Sequence, residues 1–196
     1  MDLLELYEAF KDCRACSLRE HARQVVLWDG TILPKMMLVG EAPGEDEDIQ
    51  GRPFVGKAGQ LLDKALEEVG LRRSIDVYIT NTVKCRPVTL NGERKSNRTP
   101  TDDEVLFCSS RILNREVELL KPKVIVTLGA RAMFWALGMT NGITKMRGTV
   151  HTKGSALVVP TVHPAYVLRN PAAYGDLVSD LKLARQLLYN REHNGE

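Results

Sequence analysis

Four cysteines and a few polar side chains that follow apolar runs carry the chemistry legible in this chain. Cys13-Arg14-Ala15-Cys16 is a C-x-x-C pair, and Cys85 and Cys108 are the remaining cysteines. Such a pair serves as a redox dithiol, half of a zinc site or half of an iron–sulfur site. A redox pair usually follows a strand in a thioredoxin-like unit, and this one does not. Four thiols make up a shared metal centre, with unrelated buried thiols as the alternative.

The second group lies where apolar runs stop. Lys35-Met36-Met37-Leu38-Val39 ends at Gly40-Glu41-Ala42-Pro43-Gly44, followed by Glu45, Asp46, Glu47 and Asp48 and then by Gly51-Arg52-Pro53-Phe54-Val55-Gly56. A short apolar run closed by a Gly/Pro turn reads as a buried strand ending in a loop. Asn81 ends Val77-Tyr78-Ile79-Thr80, and His163-Pro164 follows Leu157-Val158-Val159. An Asn amide donates and accepts at once, which suits the edge of a base. A neutral imidazole can donate to developing negative charge. Each residue also has an ordinary structural reading: Asn81 closing a turn, Phe54 in the core, His163 buried and hydrogen-bonded, Glu41 capping backbone.

The elements that must position these residues follow from periodicity. The spacing predicts helices over 2–11, 57–69, 101–120, 130–137 and 176–189. Strands are predicted over 35–40, 77–81 and 124–129 and ending at 161–163, with Val25–Trp28 a candidate short strand. Thr101-Asp102-Asp103-Glu104 fits a capping box. Residues 143–160 read as a hairpin, residues 84–100 as a polar loop and residues 190–196 as a frayed end. Alternation of this kind predicts an α/β fold: a three-layer α/β/α sandwich around a central, mostly parallel four-stranded sheet. In such a sheet Glu41, Asn81 and His163 converge at the carboxyl edge, where ligands bind. A planar ring stacked on Phe54, read by Asn81 and facing His163, is what a base-flipping enzyme needs.

Length and composition set the outer bounds. A chain of 196 residues, 43% hydrophobic and 27% charged, is expected to form one domain over 1–196. Net charge of +2 neither demands nor excludes nucleic acid. The basic cluster Lys84, Arg86, Arg94, Lys95 and Arg98 reads as a solvated loop or as phosphate contacts. No apolar run reaches the roughly 20 residues that span a bilayer. The amino terminus lacks a signal-peptide pattern. An intracellular protein with no membrane partner is expected.

Taken together, Gly40–Asp48, Gly51–Gly59, Ile79-Thr80-Asn81, Lys84-Cys85-Arg86-Pro87 and His163-Pro164-Ala165-Tyr166-Val167-Leu168-Arg169 resemble the type-4 uracil-DNA glycosylases, from Cys13 to about Pro171. The resemblance implies a structural [4Fe–4S] cluster on Cys13, Cys16, Cys85 and Cys108. It implies uracil contacts from Glu41, Ala42, Phe54, Asn81 and His163, with Glu47 beside C5 of the base. It implies a Leu168 wedge, with Arg169 beside it on the DNA. The implied substrate is uracil-containing DNA, double- or single-stranded, handled by a monomer in the cytoplasm at the nucleoid, with a sliding clamp or repair proteins as candidate partners. The implied reaction is hydrolysis of the N-glycosidic bond of a flipped deoxyuridine, which opens base excision repair.

Two departures refine that expectation. Related type-1 glycosylases carry an Asp base at the place of Ala42, so leaving-group stabilisation must supply more of the rate here. The Cys85–Cys108 segment approaches the length found in a related class that traps the abasic sugar on a histidine. Asn97 stands at that histidine's place, so turnover rather than self-trapping is expected. The competing readings are a non-catalytic nucleic-acid binder and a zinc-stabilised nucleotide-binding domain.

Overall fold

The computed structural model describes residues 2–140 and 142–193. In chain order it begins with helices α1 (Leu3–Phe10) and α2 (Leu18–His21), strands β1 (Trp28–Gly30) and β2 (Met36–Gly40), and helices α3 (Glu45–Gln50), α4 (Lys57–Glu68) and α5 (Arg73–Asp76). Strands β3 (Val77–Asn81), β4 (Val88–Asn91) and β5 (Arg94–Asn97) follow, then α6 (Asp102–Cys108), a π-helical turn (Ser109–Leu113) and α7 (Asn114–Leu120). The last third holds β6 (Val124–Leu128), α8 (Ala130–Leu137), α9 (Ile143–Met146), β7 (His151–Lys153), β8 (Ala156–Thr161), α10 (Pro164–Arg169) and α11 (Tyr174–His193).

The main sheet has the order β1-β3-β2-β6-β8-β7. Its four inner strands are parallel. They are apolar on both faces because helices cover both faces. Alternation along β2 sends Met36 and Leu38 into one core, with Leu62, Leu66, Leu177 and Leu181 of α4 and α11. It sends Met37 and Val39 into the other, with Tyr7, Val105, Leu113 and Ala132 of the opposite helices.

Six strands replace the four expected. The two additional ones, β1 and β7, are three residues each and pair antiparallel at the edges. Strands this short show no period to read. The β1 strand also begins at Trp28, the last residue of the run expected to be a strand. Two further corrections have similar causes. The polar loop 84–100 contains the hairpin β4–β5, whose residues beyond Val88 are exposed on both faces, so no burial pattern marked it. In the expected hairpin 143–160, residues 143–146 are a helical turn, and pairing begins at His151. The acidic run after Gly44 is helix α3 rather than loop, with Glu45, Asp46, Glu47 and Asp48 in its first turn, where carboxylates complement the helix dipole. The expected frayed end overlaps α11, which runs to His193; its last residues, 194–196, lie outside the described residues.

Inside the second core sits a polar knot. The Lys84 ammonium, 3% exposed, meets the fully buried Glu116 carboxylate at 2.9 Å and also donates to Thr80 Oγ1. Tyr7 and Tyr78 share a hydroxyl hydrogen bond beside it, and burial, followed by the Glu116 charge, raises the ionisation range of both phenols. Among the described residues, no helix is long and apolar enough to cross a membrane. Glu116→Ala strands the Lys84 charge in the core and should cost about 3–5 kcal/mol in urea unfolding, whereas joint replacement of Lys84 and Glu116 by apolar residues of similar volume should recover most of that loss.

Candidate active site

The chain leaves β2 for β3 on one side and later returns to β6 on the other, so the strand order reverses at β2. In open α/β sheets, ligands bind outside the carboxyl ends of the strands at such a reversal. A cavity of about 800 Å³ opens there, lined by Glu41 after β2, Asn81 at the end of β3, Gly129 after β6 and His163 after β8. Gly40 and Asn81 are register partners on neighbouring parallel strands. The Glu41 carbonyl accepts the Thr82 hydroxyl at 2.6 Å, which binds the two strand ends together.

Asn81 is 1% exposed, and its side-chain Oδ1 has no hydrogen-bond partner. A buried acceptor left unmade costs about 1–3 kcal/mol, so it marks a place where a donor is meant to arrive. Phe54 and His163 border the same space, with ring centroids 5.7 Å apart. The Phe54 backbone has φ +54°, the left-handed region, which a bulky residue enters only when its surroundings force it. Glu47 supplies part of that force. Its carboxylate accepts the Val55 and Gly56 N–H groups at 2.9 and 3.0 Å and the Gly44 N–H at 3.0 Å, stapling the two glycine-rich loops together.

His163 caps α10: its Nδ1 accepts the Ala165 N–H at 3.0 Å. The neutral ring therefore carries its proton on Nε2 and is a donor there. Burial lowers its pKa from the ordinary value, against the opposing pull of Glu41 and Glu47. Glu41 is itself anchored. Its Oε1 accepts the Arg131 N–H at 3.1 Å in the first turn of α8, above Gly129, whose φ is +95°. The Arg131 guanidinium pairs in turn with Asp102 of α6.

Of the residues singled out from sequence, the cavity brings together Glu41, Ala42, Glu47, Phe54, Asn81, His163, Arg98 and Arg169. Leu168 stands outside it, 43% exposed on α10. Arg86 is buried against Asn97 at 2.6 Å and Glu45 at 3.3 Å, and Arg98 forks onto Glu104 at 2.6 and 2.7 Å. Lys95 donates to the His21 carbonyl, while Arg94 is exposed on the hairpin. Asn97, at the place of the sugar-trapping histidine of the related class, also lines the cavity. Sequence reasoning missed Arg131, at which only the glycine after β6 hinted.

The four cysteines gather elsewhere. Cys13, Cys16, Cys85 and Cys108 line one small cavity with Phe10, Val25, Phe107 and Ile112. Burial and the neighbouring thiols push Cys85 up to about 12. Burial pushes Cys108 up to about 11, against the Lys84 charge and a hydrogen bond from the Lys84 backbone N–H. Arg19 also lines this cavity, and its buried Nε has no partner. Among the described residues, no group of three or more His, Cys, Asp or Glu side chains is arranged to hold a metal ion.

A nitrogen-edited NMR titration should find the His163 midpoint below the ordinary value of about 6.5, with Nε2 protonated above it. The unfolded chain then takes up the proton first, so this group lowers stability as pH falls from about 6.5 toward the folded midpoint.

Comparison with known proteins agrees with this geometry. The model of the uracil DNA glycosylase superfamily matches residues 28–185. The type-4 uracil-DNA glycosylase of Thermotoga maritima is 45% identical over 86% of this chain and 85% of its own length. Those of Sulfurisphaera tokodaii and Pyrobaculum aerophilum are 41% and 40% identical over 95% and 93% of this chain and 86% and 93% of theirs. With the strand-end site and its matched span in agreement, the chain belongs to the uracil DNA glycosylase superfamily.

Proposed function

We propose that this protein is a uracil-DNA glycosylase that removes uracil from DNA and leaves an abasic site for base excision repair. The observation that carries the reading is the unpartnered Asn81 Oδ1 at the cavity bordered by Phe54 and His163. Uracil N3–H donates to that oxygen, and uracil O4 accepts from the same amide's Nδ2. Cytosine presents the reverse pattern and is refused, because a mismatched buried polar edge leaves both partners unpaired. The relatives' names point to the same substrate.

The deoxyuridine is extruded from the stack at a cost of a few kcal/mol. Leu168 wedges into the vacated space, and Arg169 and the hairpin's Arg94 lie along the phosphates. Arg86, Lys95 and Arg98 shape the hairpin more than they reach for DNA, since each already has an internal partner. Phe54 stacks on the flipped ring. As the glycosidic bond stretches, charge builds on uracil O2, and the His163 Nε2–H stabilises it. The carboxylate of Glu41, held by the Arg131 N–H, stabilises the cationic sugar and orients the attacking water with the Ala42 backbone. Glu47 excludes a C5 methyl through the loop it holds. The reaction leaves no bond to the protein, and its chemistry requires one chain and no sliding clamp.

The cysteine cavity fits a [4Fe–4S] cluster held by Cys13, Cys16, Cys85 and Cys108. The four thiols line one small, largely apolar cavity, the Lys84 N–H bonds Cys108 there, and the unpartnered Arg19 Nε lies on the same wall. When bound, the cluster supplies covalent ties from the amino-terminal segment to the Cys85 loop and α6.

An oligonucleotide with one uracil should break at that position after alkali, while the thymine and cytosine controls stay intact. Asn81→Ala and His163→Ala should each slow single-turnover excision by about 10²–10³. Unchanged excision by Asn81→Ala would overturn the base-reading role. Protein purified without oxygen should carry about four iron and four sulfide per chain and absorb in the visible, and Cys85→Ala should lose both. Stoichiometric zinc in their place would refute the cluster.

A further inference from the structure

Arg73 lies outside every strand-end motif and does not line the cavity, yet it is the most heavily bonded side chain near the stacking ring. Its guanidinium uses all five N–H donors. Nη1 donates to the Phe54 carbonyl at 3.0 Å and to Asp63 Oδ1 at 2.9 Å. Nη2 donates to the Pro53 carbonyl and to Asp29 Oδ2 at 2.9 Å, and Nε to Asp29 Oδ2 at 3.2 Å. Two carboxylates therefore hold the arginine, and the arginine holds the two carbonyls that bracket the left-handed Phe54 residue. The side chain is 19% exposed, so water competes little for these bonds.

The other side of the same turn is closed by Glu47 on the Val55 and Gly56 N–H groups. Helix α4 closes it from below: a Cβ at Gly59 would stand 1.8 Å from the Phe54 carbonyl. The Phe54 peptide is thus gripped through its own carbonyl by a cation and through the following amides by an anion. A planar five-donor fork can reach both carbonyls and both carboxylates together; a lysine ammonium has three donors on one atom and cannot.

We propose that Arg73 is a positioning residue of the uracil site: through the Pro53 and Phe54 carbonyls it fixes the angle at which the Phe54 ring meets the flipped base. The inference rests on the uracil-excision reading. Asp29 and Asp63 are its supports, so β1, an edge strand of three residues, and α4 serve the stacking platform from outside the cavity.

A double-mutant cycle tests this. Arg73→Lys should lower kcat/KM on uracil DNA by about ten-fold and raise the inhibition constant of free uracil in parallel. In a Phe54→Ala background the same change should have less than about two-fold effect, because the residue acts through the ring. Asp63→Asn, which keeps the arginine and removes one anchor, should show the same pattern at smaller size and decides the matter if Arg73→Lys does not fold. Equal losses in both backgrounds, or unaltered uracil inhibition, would overturn the role of Arg73 while leaving excision by the parent protein intact. A parent protein with no excision would instead overturn the function on which the inference rests.

Discussion

The site depends on a side chain that is absent. At Gly40, the last residue of β2, a Cβ would lie 2.4 Å from Asn81 Oδ1 and 2.5 Å from the Phe54 ring. Parallel pairing puts Gly40 beside Asn81 with no freedom to slide, since a one-residue slip would exchange the two faces of a doubly buried strand. The Asn81 amide and the Phe54 ring can share one small volume only because residue 40 occupies none of it. Any side chain there would displace both groups at once. The same logic recurs at Gly59, under the Phe54 carbonyl, and at Gly129, under the Glu41 carboxylate.

The carboxylates around this volume do not form a proton-transfer pair. Glu41 is bonded to the backbone of α8, Glu47 to three loop amides, and Glu45 to the Arg86 guanidinium at 3.3 Å. Glu41 and Glu47 each fix a backbone segment in place. What remains for the chemistry is a set of fixed charges and donors around a leaving group, which is how preorganised sites obtain most of their effect. A neutral His163 belongs to this scheme. A donor that is already charged would be costly to bury beforehand, whereas one kept neutral by burial and oriented by the Ala165 N–H costs little until charge appears opposite it.

How much of this could be read from the chain varies with the physics of each part. The four parallel strands and the helices between them were plain, because burial on both faces leaves uninterrupted apolar runs. The convergence of Glu41, Asn81 and His163 followed from that topology alone. The edge strands, the exposed hairpin and the helical form of Glu45–Gln50 were not visible, since none carries a hydrophobic period. The acid run after Gly44 reads as part of the strand-end loop and is a helix start instead. Arg73 was invisible for another reason: its importance lies in contacts to backbone carbonyls, and a sequence carries no sign of which carbonyls a distant arginine will find.

The cysteine cavity and the excision site are separate in space but share one helix. Cys108 closes α6, just before the π-helical turn that resets the helix register. The other end of α6 carries Asp102, paired with Arg131, whose backbone N–H holds Glu41. Glu104, in the same first turn, grips Arg98, and with it the base of the hairpin whose Asn97 borders the excision cavity. Whatever fixes the cysteine end of α6 therefore also fixes the Glu41 carboxylate and one wall of the cavity. A centre on the four thiols would not need to touch substrate to matter for excision. By holding the amino-terminal stretch of a helix that continues through the π-helical turn to Leu120, it would hold both structures that this end of the helix touches.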